Sequence, residues 1–68
     1  MSNALPAAQV LLDAYQVAEY IGLPSARAVY NRRFRGNFPP AILIGSSLRW
    51  RLSVIDEWLD SQAEEVAR

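Results

Sequence analysis

Residues 13–36 read DAYQVAEYIGLPSARAVYNRRFRG, a pattern of two short helices separated by a tight turn. Asp13 is a good N-cap, and Gln16 follows it at the spacing of a capping box. Leu12 and Val17 occupy the two positions of a hydrophobic staple. At about 100° per residue, Ala14, Val17, Ala18 and Ile21 fall on one face, with Gln16 and Glu19 opposite. Gly22 suits the left-handed residue that ends a helix, and Pro24 resists continuation. Ser25 is then the N-cap of a second helix that runs to Gly36. The inward face of this helix is read as Ala26, Val29, Tyr30 and Phe34. Arg27, Ala28, Asn31, Arg32 and Arg35 spread over its outward face. Arg33 falls among the apolar positions, where it either snorkels or pairs with an acid of the last helix.

Downstream, Asn37-Phe38-Pro39-Pro40 is a rigid, extended connection with Phe38 as a core plug. Residues 41–44 read as a strand, Gly45-Ser46-Ser47 as a turn, and residues 48–51 as the return strand. Alternation puts Leu48 and Trp50 on one side of that strand and Arg49 and Arg51 on the other. Ser53 is the expected cap of a final helix. Its stripe is Val54, Ile55, Trp58, Leu59, Gln62 and Val66, with Asp56, Glu57, Asp60 and Glu64 on a solvated face. Trp50 and Trp58 are read as core, and Tyr15 and Tyr20 as half-exposed packing residues. Upstream, residues 1–10 carry no charge and are expected to form a flexible segment, leaving 11–68 as the single domain. No basic leader followed by a long apolar run is present, so neither a signal peptide nor a membrane span is expected.

The chain has 68 residues, 51% of them hydrophobic, which suits one small packed domain. It contains no Cys and no His. That excludes disulfides and a zinc finger, and it removes the commonest metal ligand, general base and thiolate nucleophile. The remaining acids and hydroxyls are dispersed, so no enzyme, metal or cofactor is expected. Seven cations balance seven anions, yet the charge is segregated. Arg27, Arg32, Arg33, Arg35, Arg49 and Arg51 give residues 27–51 a charge of +6 with no Asp or Glu among them, while the flanks are acidic. Such asymmetry points to a polyanionic partner.

An α-helix fits the major groove of DNA, where Arg reads guanine and Asn reads adenine through paired hydrogen bonds. In a helix-turn-helix unit the second helix does this reading. Arg27, Asn31 and Arg35 are therefore the expected base-reading or near-base residues. Ser25, Arg32, Arg49 and Arg51 are the expected phosphate contacts.

Several segments together resemble a known family: LLDAYQVAEYIGLPS (11–25), VYNRRFRGNFPP (29–40), ILIG (42–45) and LRWRLSVIDEWL (48–59). They resemble the AlpA-like phage regulators and the related excisionase-type proteins. The resemblance implies a mainly α fold with a small β-hairpin, a MerR-like winged helix-turn-helix in the order helix-helix-hairpin-helix. It implies residues 25–35 as recognition helix and 41–51 as wing. It also implies a cytoplasmic, bacterial or phage-encoded regulator of transcription. This chain has Ser46-Ser47 where relatives often carry Lys or Arg at the wing tip, which leaves Arg49 as the main wing contact.

The expected function is sequence-specific binding of double-stranded DNA. A homodimer, or several copies side by side, would supply specificity that one small domain lacks. The first alternative is an excisionase-like factor that bends DNA and steers an integrase. The second is a protein-interaction module that docks through the acidic face of its last helix.

Overall fold

The computed structural model describes Pro6 and residues 9–63. Its elements follow in the order β1 (Leu11–Leu12), α1 (Ala14–Ile21), α2 (Ala26–Arg35), β2 (Ile42–Ile44), β3 (Ser47–Arg51) and α3 (Leu52–Gln62). The expected order of helix, helix, hairpin and helix is present, with one short strand added in front. Most of residues 1–10, and Glu64, Glu65 and Val66 of the expected last helix, lie outside the described residues.

The start of α1 is set by local chemistry. The Asp13 carboxylate accepts from the Gln16 N–H at 2.8 Å, and the Gln16 side chain accepts from the Asp13 N–H at 2.9 Å. At the other end Gly22 adopts φ +87°, and the N–H groups of Gly22 and Leu23 both donate to the Ala18 carbonyl. Ala14, Val17 and Ala18 are buried. In α2 the Ser25 hydroxyl oxygen accepts from the Ala28 N–H at 3.3 Å, and Ala26 and Val29 pack inward.

The inward face of α2 is shorter than expected. Tyr30 is 48% exposed and Phe34 90% exposed, and every residue from 30 to 37 is exposed. The helix continues past the edge of the core, so Tyr30, Arg33 and Phe34 lie outside the buried cluster. Arg33 is accordingly an exposed residue rather than a snorkelling one.

The strands β2 and β3 form a hairpin in which Ile44 pairs with Ser47. Its turn is therefore Gly45-Ser46. Gly45 has φ +63° and no non-glycine residue among the described residues has positive φ, as in a type II′ turn with Gly first. Trp50 of β3 is fully buried, and its indole N–H donates to the Pro39 carbonyl at 3.3 Å. Phe38 meets Trp50 edge-on at 6.0 Å and lies 5.0 Å from the half-buried Trp58. The connection after α2 thus plugs the core with its aromatic ring, as the sequence suggested.

Two features depart from expectation on the other edge of the sheet. First, β1 pairs antiparallel with β3, Leu11 against Arg51 and Leu12 against Trp50, so β3 is the central strand of the order β1-β3-β2. Second, α3 begins at Leu52 directly after β3, and Ser53 lies inside the helix rather than capping it. No side chain caps this helix. Instead the Leu52 N–H donates to the Val10 carbonyl at 2.9 Å, satisfying a donor that a helix start leaves without a partner. From there Ile55 is buried, and Leu59 packs against the core. Gln62, expected in the same stripe, is exposed.

Asp56 is not a purely solvated acid. The Tyr20 hydroxyl donates to it at 2.6 Å, tying α1 to α3. That bond, some desolvation and the carboxylate charge hold the Tyr20 pKa above its ordinary 10.0. A phenol with a raised pKa in the fold stabilises below its unfolded pKa, and this contribution disappears as pH rises through the folded value. Wild type and Tyr20→Phe are therefore expected to differ in melting temperature at neutral pH and to converge above pH 10.0. A pH series of thermal melts on both chains checks this.

Candidate nucleic-acid interface

The geometry of α2 sorts the expected contact residues. With about 100° between neighbours, Arg27, Asn31 and Arg35 fall within one arc opposite the buried Ala26 and Val29. All three are exposed. Arg32 is also exposed, but it lies on a different flank, about 100° from Asn31. Ser25 stands at the N-terminal end, its hydroxyl oxygen engaged in the cap while its O–H remains a donor.

The hairpin approaches this helix across an open cleft of about 360 Å³. Asp13, Ala14 and Tyr15 at the start of α1 form one wall, Tyr30 of α2 another, and Ser46, Ser47, Leu48 and Arg49 of the hairpin the third. Arg49 is half-buried, and its guanidinium donates to the Leu48 carbonyl at 2.9 Å. That bond holds the arginine stem along the hairpin. Asp13 brings one negative charge to the cleft, with its carboxylate bound to the Gln16 N–H.

The expected residues do not all converge. Arg49 shares the cleft with α2, whereas Arg51 stands at the base of the hairpin, paired with Leu11 and preceding α3. The structure therefore groups Arg27, Asn31 and Arg35 on one helix face, while Arg49 lies across the cleft from Tyr30 of the same helix. Arg32 and Arg51 are at the margins of that group.

Three aromatic residues on this side of the molecule were not expected there. Tyr15 is 77% exposed, and Tyr30 and Phe34 are exposed rather than core. Helical periodicity shows which residues share a face. It does not show where the covering element stops, and α1 has only eight residues to cover the ten of α2. That difference in length was the available signal. On the hairpin, Leu43 and Ile44 are likewise exposed on the edge strand β2.

No family model matches the chain, and no curated protein matches it closely enough to count as a relative. No helix among the described residues is long and apolar enough to cross a membrane.

Proposed function

We propose that this chain is a winged helix-turn-helix domain that binds double-stranded DNA and regulates transcription. In this reading α2 enters the major groove, and the β2–β3 hairpin is a wing on the neighbouring backbone or minor groove. One observation carries it: an acid-free segment of charge +6 folds so that Arg27, Asn31 and Arg35 face solvent on one helix face, while Arg49 of the hairpin lines a cleft whose other side is Tyr30 of the same helix. A scattered set of solubilising arginines has no reason to share one helix face with an asparagine. The resemblance to AlpA-like regulators adds the setting of a prophage or mobile element. Binding, rather than catalysis, is the activity this arrangement supports.

In this reading Arg27, Asn31 and Arg35 reach base edges. Arg32, Arg49, Arg51 and the Ser25 hydroxyl hold phosphates. Two or more copies on adjacent sites supply the specificity that a single small interface lacks.

Two substitutions test the division of roles. Arg49→Ala is expected to weaken binding to all duplexes alike, because a phosphate contact carries no sequence information. Asn31→Ala is expected to relax preference at one base pair, by about 1–3 kcal/mol of discrimination. Selection from a random duplex pool, followed by titration of the recovered sites, measures both. Uniform losses for Asn31→Ala would remove it from the base-reading set.

A further inference from the structure

We propose that Phe34 is a base-reading residue, its ring packing on the 5-methyl group of a thymine beside the base that Asn31 contacts. The proposal rests on the duplex-DNA reading of α2 and deepens it.

Phe34 is 90% exposed, although a large aromatic side chain gains most by leaving water. Its surroundings identify the occupant. Arg27, Tyr30, Asn31 and Phe34 follow the i, i+3, i+4, i+7 spacing of one helix face. That face is exposed along its whole length. The face is therefore aromatic and cationic together, with Arg27 at its start and Arg35 on its flank, one turn beyond Asn31. A second copy docking here about a two-fold axis would bring the arginines at 27 and 35 up against those of the other copy, and like charges oppose that. A duplex brings the opposite charge to the arginines. It also presents one apolar feature on the major-groove edge of a base pair, the thymine methyl, which Phe is suited to contact. Asn31 lies one turn earlier on the same face, so the two side chains would meet neighbouring base pairs.

The experiment uses the full chain, as wild type, Phe34→Ala and Asn31→Ala, and selects from short random-sequence duplexes at low salt. Wild type is expected to enrich an adenine and, next to it, a thymine. Phe34→Ala should lose the thymine preference and keep the adenine, with an unchanged circular dichroism spectrum. On the recovered duplex, uracil in place of that one thymine deletes only the methyl group. It should weaken wild type by about fourfold and leave Phe34→Ala unaffected. Identical preferences for wild type and Phe34→Ala, or equal responses of both to uracil, would overturn the proposal. A change in sedimentation for Phe34→Ala with base preferences intact would overturn it in favour of a contact between copies. If no chain enriches any duplex, the DNA reading itself fails, an outcome distinct from selective loss of the thymine signal.

Discussion

Affinity for duplex DNA is expected to fall about a thousandfold for each tenfold rise in monovalent salt. Each phosphate neutralised releases condensed counterions, giving a slope near −0.9 per contact in log affinity against log salt. Arg32, Arg49 and Arg51 are the charged phosphate partners in the proposed complex, so about three contacts give a slope near −3. The neutral total charge of the chain does not cancel this. Counterion release depends on charges that meet phosphates, and exposed charges further than about 10 Å away are largely screened at ordinary ionic strength. Asp13 is the acid that lines the cleft with Arg49, and its carboxylate already accepts from the Gln16 N–H, while the exposed acids Glu57 and Asp60 are on α3. Fluorescence anisotropy titrations of a labelled duplex across a salt series give the slope. A flat response would mean that the arginines neutralise no phosphates.

Trp50→Ala is expected to leave the chain unfolded at room temperature. Truncating a buried Trp costs about 3–5 kcal/mol, and a single core in a domain of this size rarely supplies more than about 3–5 kcal/mol in total. The damage spreads beyond the vacated volume. Phe38 loses its edge-on partner, and the Pro39 carbonyl loses the indole donor. The centre of the three-stranded sheet loses the side chain that anchors it to the helices. Trp58→Ala is expected to be milder, because Trp58 is only partly buried. Thermal melts followed by far-ultraviolet circular dichroism distinguish the two. A cooperative melt for Trp50→Ala close to that of wild type would show that the core is not centred on this residue.

The legible parts of the fold are those in which partners are near neighbours in sequence. The Asp13–Gln16 box, the Ser25 cap, the left-handed Gly22 and the Gly45 turn each depend on residues within one helical turn or one hairpin loop. What escaped the sequence depends on distance. Leu11-Leu12 is too short to carry an alternation, and it becomes a strand because Trp50 and Arg51 lie beside it. Ser53 has the right chemistry to cap a helix, yet Val10, from the other end of the chain, supplies the acceptor one residue earlier. Tyr30 and Phe34 have the right phase to face inward, and only the extent of the core shows that they do not. The candidate site follows the same division. The arginine cluster and the helix that bears it are visible in the residues, whereas the cleft shared with Arg49 and the exposed aromatic face depend on tertiary placement.

The pairing of Leu11-Leu12 with the central strand also bears on how the chain assembles. Leu11 and Leu12 have their partners at Arg51 and Trp50, beyond both α1 and α2, and the same strand leads straight into α3. Both α1 and α2 lie inside the loop that this pairing closes, so the sheet is incomplete until the chain through Arg51 is in place. Trp50, the residue around which the interior is packed, lies on that strand. Contacts so distant along the chain slow folding, because the loop must close before they form. The pairing of β1 with β3 is thus the contact that closes the sheet around the two helices between them.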